Sequence, residues 1–144
     1  MNKKQDLWIV ALGINVGIIL WLTILGRTSK VLGNPYFQPF HGFSSAVNNI
    51  KRDGLRGNFL GNIALFVPFG VLLPLVDDWF DKWKRTVLIG FVFSVTIEFV
   101  QYITCRGYFE IDDIILNLIG TGLGFVVFQL LRITSKGKLD TYGS

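Results

Sequence analysis

The sequence predicts an all-α, polytopic membrane protein: a four-transmembrane-helix bundle with an aromatic, proline-containing interfacial loop between helices 1 and 2. Three observations predict it. Hydrophobic residues make up 51% of the chain and charged residues only 17%, where a soluble domain carries about a quarter charged residues. Mean hydropathy is +0.49. The apolar residues gather into four runs near spanning length, separated by charged turns. At 144 residues the chain reads as one domain with its core at 35–131, and 132–144 reads as a flexible polar tail.

The first run, 7–25, has 19 residues without a charge. A helix of that length covers about 28 Å, close to the hydrocarbon thickness. Lys3 and Lys4 precede it as they would a signal peptide, but the run is long for one and no A-x-A-like site follows, so it reads as a retained span. Trp8 and Trp21 lie near its ends, where indoles favour the interface, and Asn15 lies mid-span as a helix–helix hydrogen-bonding group.

The connection 26–58 holds NPYFQPFHGF, in which Pro35 and Pro39 oppose regular helix and the aromatics suit a segment lying on the membrane. Ser44 or Ser45 is placed to cap a short amphipathic helix through Lys51. Lys51, Arg52 and Arg56 form the most basic cluster, suited to lipid anchoring or to an anionic ligand. His41 reads as amphipathic filler, with proton transfer as the alternative.

The second run, 59–76, begins with Asn58 and Asn62 on one face. Pro68 should kink it, with the freed carbonyl buried in the bundle, and Pro74 marks its closing turn. The turn 77–85, DDWFDKWKR, carries Trp79 and Trp83 as interfacial anchors.

The third and fourth runs, 86–103 and 114–131, carry the chemistry. Gly90, Ser94, Glu98 and Gln101 recur at steps of four and three, a polar stripe on an apolar helix. Asp113, Asn117, Gly120 and Gly124 form a matching stripe on the next. Gly120-x-x-x-Gly124 lets another backbone approach closely. A carboxylate within a span costs on the order of 3 kcal/mol unless paired or neutral, so Glu98 is a functional-site candidate by default. Arg106, just past the third run, is the cation placed to fold back on Glu98, Asp112 or Asp113; a purely structural ion pair is the bland alternative. Asp112 suits a helix N-terminus, while Asp113 follows the stripe. Cys105, beside Arg106, reads as a small packing residue, with a thiol activated by that cation as the alternative.

This ordered set of residues resembles the VanZ-like family of bacterial membrane proteins. It consists of Pro39-Phe40, then Asn62, Phe66, Pro68, Phe69 and Gly70 in NIALFVPFG, then Ser94, Glu98 and Gln101, then Arg106. It closes with Asp112, Asp113, Asn117, Gly120 and Gly124. The resemblance covers about 35–131. It implies a small helical membrane bundle and reduced susceptibility to teicoplanin-type lipoglycopeptide antibiotics in Gram-positive bacteria.

Net charge is +4, and basic loops beside apolar spans suit lipid heads better than nucleic acid. A single cysteine and a single histidine exclude an intrachain disulfide and a zinc-type site. No phosphate-binding glycine loop or nucleophile–histidine–acid spacing is present. The sequence therefore calls for no cofactor and no metal, oxygen-ligated Mg²⁺ or Ca²⁺ being the alternative. The expected ligand-binding set is Asn62, Ser94, Glu98, Gln101, Arg106, Asp112, Asp113 and Asn117.

Two functions fit. One is a polar cleft at the outer leaflet that binds a lipid or lipid-linked peptidoglycan precursor, or alters how a lipoglycopeptide anchors. The other is an intramembrane enzyme acting on a lipid or lipid-linked phosphate, with Glu98 or Asp113 as acid, base or metal ligand and Arg106 on the head group. Localisation follows as multi-pass in the plasma membrane. Lys and Arg number eight on the side of the termini and six on the other, which places both termini in the cytoplasm.

Overall fold

The computed structural model describes residues 3–25, 58–106 and 109–142, with side chains over 3–25, 60–106 and 109–135. The loop aromatics, His41 and the Lys51, Arg52 and Arg56 cluster lie outside the described residues. Among those described there are four long helices and no strand. α1 is Lys3–Leu20 and runs on into a wider π turn, Trp21–Leu25. α2 is Asn58–Val76, followed by a 3₁₀ turn, Asp78–Phe80. α3 is Trp83–Ile103 and α4 is Ile111–Tyr142.

Three stretches are long and apolar enough to cross a membrane: Lys3–Leu25, Trp83–Ile103 and Ile111–Ser135. The apolar part of α2, Leu60–Val76, is shorter. The protein is thus an all-helical, membrane-type fold. Side chains such as Ile14 and Ile18 on α1, Phe91 and Phe99 on α3, and Leu123 and Leu130 on α4 are exposed. In lipid, an apolar outer face is the ground state and carries no penalty.

Association of such helices rests on close van der Waals approach rather than on hydrophobic burial. α2 and α4 supply it with glycine. A Cβ on Gly120 would overlap the carbonyl oxygen of Ile63, and one on Gly124 that of Val67. From the other side, a Cβ on Gly70 would overlap the carbonyl oxygen of Thr121. The two helices run parallel, backbone against backbone. α3 packs antiparallel on α4, with Gly90 seated on the Thr121 side chain and Ser94 opposite Asn117. The apolar core is Ile19, Phe66, Phe69, Leu73 and Ile97. Phe93 stacks on Phe69 with centroids 5.1 Å apart.

α1 lies on α2. Asn15 donates through Nδ2 to the Leu65 carbonyl at 3.4 Å, and Ile19 is fully buried. Near its start, Gln5 donates to the Val76 carbonyl at 3.0 Å. At that same end, Arg132 and Gln129 of α4 bond Asp81, and the Arg85 guanidinium lies over the Trp79 ring, 4.8 Å from its centroid. The chain therefore runs up, down, up and down, with both ends of the described chain at one end of the bundle.

One expectation is corrected. Pro68 lies on the outer face, because the inward stripe of α2 is Phe66, Phe69, Gly70 and Leu73. The helix is continuous through Pro68 and Pro74. α4 continues past 131 to Tyr142. The hydroxyls of Thr134 and Ser135 bond back to the carbonyls of Leu130 and Leu131, so polarity there does not end the helix.

Candidate site at the polar end of the bundle

Both predicted stripes face inward. Glu98 and Gln101 are each 1% exposed, and Ser94, Asp113, Asn117 and Thr121 are also buried. Asn117 donates through Nδ2 to Ser94 Oγ at 2.8 Å, tying α4 to α3. Continuing the register of that pair and of Gly90 with Thr121 by one turn brings Glu98 level with Asp113.

Glu98 accepts a hydrogen bond from the backbone N–H of Glu110, Oε2 at 2.9 Å. Glu110 directly precedes α4. The Glu98 carboxylate thus sits against the start of the next helix, where unpaired N–H groups and the macrodipole favour negative charge. Asp112 and Asp113 occupy the first turn of that same helix. Asp113 is buried and Asp112 partly so.

Gln101 and Arg106 do something the sequence did not show. α3 ends with paired bonds, Cys105 N–H to the Tyr102 carbonyl at 3.1 Å and Arg106 N–H to that of Gln101 at 2.9 Å. This is a Schellman closure, and Cys105 takes the left-handed conformation it needs, φ 52°. Cys105 is exposed, which corrects its reading as a packing residue. The closure swings Arg106 towards α1. Its guanidinium donates to the Ile24 carbonyl at 2.9 Å, and Gln101 Nε2 donates to the Thr23 carbonyl at 2.9 Å. Both carbonyls belong to the π turn.

The structure therefore brings Ser94, Glu98, Gln101, Asp113 and Asn117 into the interior of one end of the bundle, with Asn62 a turn beyond Phe66 on the core-facing stripe of α2. It does not bring Arg106 onto a carboxylate: among the described residues its partner is a main-chain carbonyl. Nor do Glu98, Asp112 and Asp113 form a cluster of metal-ligating side chains among those residues. Sequence reasoning missed Thr121, whose hydroxyl bonds the Asn117 carbonyl at 2.9 Å on the same inward face. Its place one helical turn after Asn117, next to Gly120, was the available signal.

A family model described as VanZ/LLP1 matches residues 18–132. The chain belongs to the VanZ-like family. It is also 32% identical over 123 residues to Protein VanZ of Enterococcus faecium, a match covering 85% of this chain and 74% of that protein. No solved structure matches the chain. The family match starts within α1 and ends just inside the polar part of α4. The VanZ-like region thus includes the π turn and both stripes.

Proposed function

We propose that this VanZ-like protein lowers susceptibility to teicoplanin-type lipoglycopeptides from within the plasma membrane. In this reading all four helices cross, both termini are cytoplasmic, and the polar end lies at the outer leaflet. There it binds a lipid or lipid-linked cell-wall precursor, or changes how the drug's acyl anchor inserts. The supporting observation is the gathering of Glu98, Asp113, Gln101 and Asn117 inside one end of the bundle. Buried polar groups in a lipid-surrounded bundle are costly to keep, and they mark the place where a membrane protein meets its ligand. In the alternative enzyme, Arg106 would hold the anionic head group while one of its N–H groups bonds the Ile24 carbonyl.

The test is antibiotic susceptibility in a Gram-positive host producing the protein. The expected result is a severalfold rise in the teicoplanin inhibitory concentration, with no rise for a glycopeptide lacking an acyl chain. Glu98→Gln, which keeps shape but cannot ionise, should remove most of that rise at equal membrane abundance. A wild-type chain that leaves susceptibility unchanged defeats the reading. Turnover of a labelled lipid-linked precursor by the purified protein would replace it with the enzyme.

A further inference from the structure

Arg106 is a cation that meets no carboxylate among the described residues. Its guanidinium makes one bond to them, from Nη1 to the Ile24 carbonyl at 2.9 Å. A guanidinium is a rigid, planar fork of N–H donors, always charged. The Ile24 carbonyl takes a donor on Nη1. The edge formed by Nε and Nη2, which points two parallel N–H groups the same way, is left whole. Such an edge is ordinarily matched by the paired oxygens of an anion.

The fork is also held still. The backbone N–H of Arg106 closes the end of α3 on the Gln101 carbonyl at 2.9 Å, and its guanidinium is tied to α1, 82 residues away in the chain. A surface arginine loses rotamer freedom when it grips an anion; here two bonds have already fixed it. The side chain is partly buried, in the seam where the tip of α1 meets the end of α3. Both apolar runs end here, the level at which a spanning helix reaches the head groups. Exposed side chains adjoin the seam: Leu22 and Leu25 on the π turn, Tyr102 and Ile103 on α3. A fixed cation thus stands beside surface that faces hydrocarbon.

Two parallel donors with a fixed positive charge select a carboxylate or a phosphate. Phosphate is the anion that lipid head groups share. Sugar hydroxyls accept the same bonds without the charge, and such neutral bonds are the weaker kind. We propose that Arg106 holds the phosphate of a lipid head group in the seam between α1 and α3, with the lipid's hydrocarbon along the exposed apolar side chains. No covalent step is involved. This rests on the ligand-binding reading above and assigns its chemical class and its contact residue. A diacyl phospholipid and a prenyl-linked carrier both bring that phosphate, and the experiment separates them.

The experiment uses the full chain, purified in an uncharged detergent and placed in nanodiscs. These hold equal parts of phosphatidylglycerol, a polyprenyl phosphate, glucosyl diacylglycerol and diacylglycerol, and the lipid retained on the protein is read by native mass spectrometry. One or both phosphate lipids should be enriched about tenfold over the uncharged pair, the order that one charge-assisted hydrogen bond provides; the one enriched names the source. Arg106→Gln should abolish the enrichment. Arg106→Lys keeps the charge without the fork and should lose most of it. If neither variant folds, displacement of the phosphate lipid from the wild type by a long-chain alkyl phosphate, and not by a matched alkyl glucoside, decides the matter. Equal retention of all four lipids, enrichment of an uncharged one, or enrichment untouched by folded Arg106→Gln or Arg106→Lys overturns the assignment, as does equal displacement by both competitors. Susceptibility measured on the same chains separates the two claims. Resistance without a phosphate lipid enriched sinks the phosphate assignment alone. Enrichment that depends on Arg106, without resistance, sinks the resistance reading alone.

Discussion

At Glu98 a single carboxylate joins two helices that a turn of the chain separates. Its Oε2 accepts the Glu110 N–H, so truncation leaves a part-buried donor without that partner. Glu98→Ala should lower stability by about 1–3 kcal/mol, read as thermal unfolding in detergent, and Glu98→Gln should cost less because its amide oxygen still accepts. Ser94→Ala removes the acceptor of Asn117 Nδ2 and should cost about 0.5–2 kcal/mol in the same assay. Cys105 offers the opposite sign. It holds φ 52° at a position glycine normally fills, so Cys105→Gly should raise stability by about 1 kcal/mol. The stripe residues were legible because steps of three and four put them on one face. The role of Cys105 was not, since a left-handed helix end is ordinarily announced by glycine. The partners of Gln101 and Arg106 were hidden for a different reason: they are main-chain carbonyls, which every residue carries.

Among the elements, the α2–α4 pair carries the tightest packing, and glycine permits it. Gly124→Ala puts a methyl group into the Val67 carbonyl, backbone that cannot rotate away. This variant should lose folded protein in fluorescence-detected size-exclusion chromatography, with a penalty of about 1–3 kcal/mol or more. Gly13→Ala on α1 meets nothing within 4 Å and should elute like the wild type. The contrast tests whether packing or helix propensity sets the outcome, as propensity alone favours alanine at both sites. Gly120-x-x-x-Gly124 and the polar stripe together identified the inward face of α4 from sequence. The position of Pro68 was misjudged, because a proline mid-span signals a weakened helix but not the side on which it lies. The π turn had no sequence signal at all: WLTIL reads as one more apolar stretch.

For the molecule as a whole, the up-down path puts both ends of the described chain at one end and the buried carboxylates Glu98 and Asp113 at the other. Which end faces outward is the part that charge counting carries, on a margin of eight basic residues to six. Cys105 is exposed at the polar end. An impermeant maleimide should therefore label it in intact cells, and labelling only after permeabilisation would reverse the orientation. The π turn also bears on how the protein is made. Gln101 follows Thr23 by 78 residues and Arg106 follows Ile24 by 82, so α1 emerges from the ribosome long before the groups that cover its tip. Bare carbonyls are not tolerated in hydrocarbon. The expected consequence is that the leading segment stays beside water or the insertion machinery until α3 arrives. Nascent chains arrested after α2 should crosslink to that machinery through Trp21, and chains arrested after 106 should not.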